Sequence, residues 1–315
     1  MRQIRTDLAL EAREFYCETG REEDPSGVVT ETEEQEDVLI TRVNITDSQG
    51  EKAIGKPKGR YVTLESAGLA KGDPACAEQI AKVFSKELKQ LLPERLRCVL
   101  TAGLGNWNIT PDALGPKVVS RLFVTRHLKQ YFSEYSHLTE VCAISPGVLG
   151  ITGMETGEII KGIVEELHPD CVIAIDALAS RKMSRVNATI QLSDTGISPG
   201  SGVGNHRFAL NRESLGVPVI GIGIPTVVDA ATIAGDAIAL LVSALQEETG
   251  EAAKLATLLE DPYDALREVL HQENLIVTPK DTDFSVTEAA KVLASGLNIA
   301  FHPDFSYQEL LQLQG

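Results

Sequence analysis

Two aspartates and one histidine carry the chemistry that this sequence can offer. Asp112 sits in "TAGLGNWNITPDALGPKVV" (Thr101–Val119), a run with three glycines, a tryptophan and flanking prolines. Asp176 ends the apolar run Cys171–Ile175, where an ionised carboxylate is costly unless it is partnered or faces a cleft. Two carboxylates in one site can share a proton, activate a water and protonate a leaving amine. The same pair with His206, from "SPGSGVGNHR", could instead hold a divalent metal, although no H-E-x-x-H motif accompanies it. Each aspartate also has a plainer reading. Asp112 follows Pro111 and suits a helix start stabilised by the dipole, and Asp176 suits a strand end bonded to backbone.

Two other motifs are excluded by spacing. "GLGNWN" has neither the G-x-G-x-x-G spacing nor a Lys-Ser/Thr ending, so it is no phosphate loop. "DTG" at Asp194–Gly196 matches the pepsin triplet, but it occurs once, in a chain that alternates strand and helix. Asp194 nevertheless begins a long Gly-rich loop and is a candidate for the border of a cleft.

The elements that must position these residues follow an α/β rhythm. "CVLTAG", "EVCAISP", "CVIAIDAL" and "PVIGIGIP" are apolar strands alternating with helical stretches. The latter are "TPDALGPKVVSRLFVTRHL", "TGMETGEIIKGIVEEL" (with Thr152 and Glu155 in capping-box spacing) and Val227–Leu245. Continuous apolar strands between helices predict a three-layer α/β/α architecture on a mostly parallel sheet. Ligands of such sheets bind at the carboxyl ends of the strands, where Asp112 and Asp176 fall. "VLITRVNIT" and "RYVTLES" predict further strands. "ATIQLSD" alternates as an antiparallel or edge strand would, and "IRTDLALEAREFYC" predicts a short amphipathic helix. Residues 18–37 hold nine acidic residues and one basic, and predict an exposed loop. The expectation is one domain over 1–315.

The formal charge of −16 argues against a nucleic-acid surface, and no apolar run is long enough to span a bilayer. Five scattered cysteines without C-x-x-C, and no signal peptide, predict a cytoplasmic protein with Cys98, Cys142 and Cys171 as small buried hydrophobes.

The blocks "IRTDLALEA", "GLGNWNITPDALGP", "SPGVLGITGMETGEII", "DALASRKMSRVNATIQLSDTGISPGSGVGN", "GIPTVVDA" and "VTPKDTDF…LASGLNIAFHP" resemble the spore germination proteases of endospore-forming Firmicutes, in order along nearly the whole chain. The pattern is also similar to that of the hydrogenase maturation endopeptidases. The resemblance implies an atypical aspartic endopeptidase of small acid-soluble spore proteins, with no cofactor. It implies a homotetramer, made as a zymogen in the forespore and working in the spore core. Asp112 and Asp176 stand where the family's two proposed catalytic aspartates stand. Family zymogens carry a pro-segment before this point, and only Met1–Ile4 precede Arg5, so the expectation is a minimal pro-segment over 1–4, a start further upstream, or a different activation. The family's cut sites are acidic, which makes Arg181, Lys182 and Arg185, together with Asp194, the candidates for substrate contact. A metal-dependent peptidase on the same aspartates and a non-catalytic α/β binding module are the alternatives.

Overall fold

Continuous apolar runs build the parallel part of the sheet, which carries the site. The computed structural model describes residues 5–18, 24–198, 208–246 and 275–313. The strands are β1 (Val28–Gln35), β2 (Val38–Ile45), β3 (Gly59–Glu65), β4 (Cys98–Gly103), β5 (Glu140–Ile144), β6 (Cys171–Ser180), β7 (Thr189–Ser193), β8 (Val219–Asp229) and β9 (Ile276–Val277). They lie in the order β1-β2-β3-β7-β8-β6-β4-β5, with β9 pairing β8. The block β8-β6-β4-β5 is parallel. An antiparallel wing from β7 out to β1 extends it.

Both faces are covered, which gives the expected three layers. Val99, Ile173, Ile175, Ile220 and Ile222 pack against helices Pro74–Leu91, Leu114–Val119 and Thr282–Phe301. Their sequence neighbours Leu100, Val172, Ala174 and Val219 face Ile160 and Val164 of helix Thr156–Leu167. Helix Ala9–Glu18 covers the wing at Val43, Ile45 and Tyr61. No described helix is long and apolar enough to cross a membrane.

Several local expectations are revised. The acidic stretch 18–37 is not one loop: Val28–Gln35 forms β1, fully paired to β2 across a two-residue turn. Glu36 and Asp37 both take positive φ (51° and 60°), the geometry that matches the twist of a hairpin but is usually signalled by Asn-Gly. "ATIQLSD" is antiparallel, yet it lies inside the sheet between β3 and β7's other neighbour, β8.

The helix expected after β4 is broken into a 3-10 turn (Thr110–Asp112) and helices Leu114–Val119 and Arg126–Tyr131. Asn298 accepts from the Phe123 amide at 3.0 Å, and the Thr125 hydroxyl accepts from the Val141 amide at 3.0 Å, so the chain between those helices is held by its neighbours. The capping box does not form. Thr152 ends a short helix, its hydroxyl donating to Val148 O, and the next helix starts only after Gly153 and Glu155. Val227 and Val228 belong to β8 rather than to the following helix. Cys171 is buried, whereas Cys98 and Cys142 are half-buried.

His302, at the end of helix Thr282–Phe301, is buried against Phe123 and Phe305. Its Nε2 lies 3.3 Å from Phe123 O, so the neutral ring donates there, and Nδ1 has no partner among the described residues. Burial pushes its pKa from 6.5 down to about 4, against the opposing carbonyl contact. The folded-state pKa is depressed, so the stability this neutral ring confers is complete above pH 6.5 and is lost as pH falls towards 4. Between pH 7 and pH 4.5 the loss from this one ring is on the order of 2 kcal/mol. His302→Gln should flatten that part of the urea-denaturation profile by the same amount. An unchanged pH slope would show that His302 is not the titrating group.

Candidate active site

β4 stops at Gly103, opposite Ile175, while β6 continues to Ser180. The Leu104 amide donates to Ile175 O at 2.7 Å as the last contact between the two chains, and Asp176 is the next residue. The chain leaving β4 turns sharply at Gly105, whose φ is +106°. A Cβ there would stand 2.0 Å from Asp112 O, so glycine is needed both for the backbone angle and for the approach. The loop then closes on itself. The Asn106 amide donates to Asp112 Oδ2 at 2.8 Å and to Asp112 O at 3.1 Å. Asn106 Oδ1 accepts from the Asn108 amide, and the Asp112 amide donates to Ile109 O. The Thr226 hydroxyl donates to Pro111 O at 2.8 Å from the point where β8 bulges against β6, which ties the loop to the sheet. Asp112 thus lies in a 3-10 turn whose position is over-determined. The helix-start reading has this much truth: Leu114–Val119 follows directly.

Asp176 is buried at 6% exposure, and its Oδ1 accepts from the Ala177 amide at 2.9 Å. Asp112 and Asp176 line one cavity of about 280 Å³. Two more carboxylates, Asp7 and Glu155, share its wall, alongside apolar groups that include Ile109, Val148, Leu178 and Phe208. No Lys, Arg or His is among the described residues that line it. The sequence reading missed both extra acids. Glu155 was assigned to a capping box, and Asp7 stands far from the strand tips in sequence. The signal for Asp7 is only its place in the block "IRTDLALEA". Asp7 reaches the site because its amide donates to Ala179 O at 2.9 Å while its Oδ2 accepts from the Ala179 amide at 2.8 Å.

The remaining candidates lie elsewhere. Arg185 is buried, bonding Glu14 through two nitrogens (2.6 and 2.7 Å) and Glu65 through Nε (2.8 Å). Burial pushes the Glu14 carboxyl up, but hydrogen bonds from Arg185 and Lys182 outweigh it and bring its pKa down to about 2. Arg181 bonds Glu18 and Asp236 and lies over the Phe15 ring. Asp194 accepts from both the amide and Nε of Arg60 at 2.8 Å. None of these three lines the cavity that holds Asp112 and Asp176. Their charged groups bind the protein's own opposite charges. His206 lies outside the described residues. Among the described residues, no three His, Cys, Asp or Glu side chains come together as a metal site.

Comparison with known proteins points in one direction. The family model described as "Germination protease" matches residues 9–263. A germination protease of Clostridium acetobutylicum is 48% identical, with 98% of each chain covered. One from Caldanaerobacter subterraneus subsp. tengcongensis is 50% identical, again with 98% of each chain covered. Among solved structures, a [NiFe] hydrogenase maturation protease, HycI from Thermococcus kodakarensis KOD1, matches at 17% identity and a TM-score of 0.30, covering 58% of this chain and 98% of that one. With a family match over most of its length and relatives close to half identical from end to end, this chain is a peptidase of the germination protease family.

Proposed function

We propose that this endopeptidase initiates the degradation of small acid-soluble spore proteins during spore germination, with Asp112 and Asp176 activating the attacking water. The observation that carries the catalytic part is that two aspartates distant in sequence line one cavity at the strand tips, each oriented by a main-chain amide. One carboxylate takes a proton from water as the water oxygen bonds to the scissile carbonyl carbon. The other, carrying a proton, hydrogen-bonds the carbonyl oxygen. The leaving nitrogen is protonated as the C–N bond breaks. The apolar wall around Ile109, Val148 and Phe208 limits bulk water at the reacting atoms. On the same reading the chain is made as a zymogen and acts as a homotetramer in the spore core.

Asp112→Asn and Asp176→Asn should each lower kcat on a small acid-soluble spore protein by at least about 1,000-fold, while circular dichroism and urea midpoints stay near those of the parent. Near-parental cleavage by the folded double variant would remove the assignment. The same assay run after exhaustive chelation separates this mechanism from a metal-dependent one on the same aspartates, because the proposed pair keeps full activity.

Gly105→Ala tests the positioning of Asp112. The added methyl cannot coexist with Asp112 O at 2.0 Å, so the turn must move. Displacement of a catalytic carboxylate on the order of 1 Å lowers kcat by about 100-fold. Full activity in a folded Gly105→Ala variant would show that the turn does not set the carboxylate.

A further inference from the structure

Beyond Ile175, β6 has a strand neighbour on one side only among the described residues. β8 runs beside it through Ser180, whereas β4 has already ended. Backbone groups along a strand point alternately to its two sides. The Val172 amide bonds Pro218 O beside β8, and Ile175 O accepts from Leu104 beside β4, so the odd-numbered residues of β6 face the β4 side. Ala177 and Ala179 therefore direct their amides and carbonyls to the edge that β4 leaves open. That edge is also the cavity wall, since Asp176, Ala177, Leu178 and Ala179 all line the cavity with Asp112.

Two details show what this edge takes. The Ala177 amide is bonded to Asp176 Oδ1, so this rung turns a carbonyl acceptor towards the open side. At Ala179 the chain's own Asp7 makes the contacts of an added strand. Its main-chain amide donates to Ala179 O, and its carboxylate stands in for a carbonyl on the Ala179 amide. The edge thus bonds a main-chain amide and a carboxylate of a neighbouring segment, and the residues that do so line the cavity with both aspartates.

We propose that the edge of β6 at Ala177–Ala179 is the main-chain subsite for an extended substrate peptide. The peptide adds as a strand, donating to Ala177 O and Ala179 O from residues two apart, and takes the second rung over from the Asp7 amide. This mode of peptide capture draws affinity from main-chain hydrogen bonds and register from the strand period. It holds the peptide backbone next to Asp176, the residue that begins the open edge. The inference rests on the peptidase reading above.

The test changes the substrate rather than the protein, so misfolding cannot confuse it. A peptide spanning a bond that the full chain cuts in a small acid-soluble spore protein is N-methylated at each residue in turn, leaving out the residue that carries the scissile amide. Two positions separated by one residue should each lose about tenfold in kcat/KM, with the residue between them nearly unaffected. Replacing the same two amides by esters, which removes N–H without adding a methyl, should reproduce the loss. Cleavage that tolerates every methylation, or is sensitive without a period of two, overturns the inference and leaves the peptidase reading standing. Failure to cut the intact small acid-soluble spore protein overturns both.

Discussion

The site depends on a mismatch in strand length. β4 ends at Gly103 while its parallel neighbour β6 runs on through Asp176 to Ser180. A parallel sheet with helices on both faces binds ligands where strands give way to loops, and a step between adjacent strand ends deepens that crevice. The step places Asp176 on the wall of a cavity, as the first residue of β6 past its pairing with β4. It also forces the chain leaving β4 to fold back at once. Gly103 allows this, since a Cβ there would stand 2.2 Å from Gly115 O, at the start of the following helix. The return brings Asp112 to the same cavity as Asp176 although the two are far apart in sequence.

A second constraint sets the opposite wall. Helix Ala9–Glu18 is clamped to the chain that follows β6 by several charged contacts. Glu11 accepts from the Arg181 and Lys182 amides at 2.6 and 3.0 Å, Glu14 receives the Arg185 fork, and Glu18 pairs with Arg181. Removing one member of so buried a group leaves a charge without compensation, so the helix has little freedom to shift. Because the helix is fixed, the residues just before it are fixed too. The Ala9 amide bonds Gln191 Oε1 at 2.7 Å, and Asp7 is delivered to Ala179. The basic residues that looked available for substrate are thus what holds the N-terminal segment against the site.

The fold class, and the place of Asp112 and Asp176 on one cavity, were legible because each left a strong local mark. Four apolar runs spaced by helical stretches specify a covered parallel block, and a carboxylate closing "CVIAI" is too costly to be incidental. The misread parts depend on contacts between distant segments. The hairpin turn at Glu36–Asp37 uses residues that rarely advertise positive φ, so β1 was hidden inside an acidic run. The roles of Arg181 and Arg185 are set by Glu14, Glu18 and Glu65, whose proximity no spacing rule reveals. The helix after β4 has good helical periodicity. It breaks because Asn298, some 170 residues on, bonds the Phe123 amide. Asp7 was invisible for the same reason, since its claim on the site comes through a strand edge that exists only in the folded sheet.

The charge of the cavity bears on what can hold a substrate there. Asp7, Asp112, Glu155 and Asp176 line one space of about 280 Å³, with no cationic side chain among the described lining residues. Such a wall gives no electrostatic attraction to an acidic side chain, and like charges brought together in a low-dielectric space repel more strongly than in water. A peptide main chain is neutral and carries a donor and an acceptor at every residue except proline. Recognition through the backbone therefore avoids that repulsion, while leaving the carboxylates to act on water rather than to anchor a substrate. The open edge of β6 and the acidic wall beside it are complementary under the proposed mechanism: the edge would bind a neutral polymer, and the carboxylates would supply proton transfer.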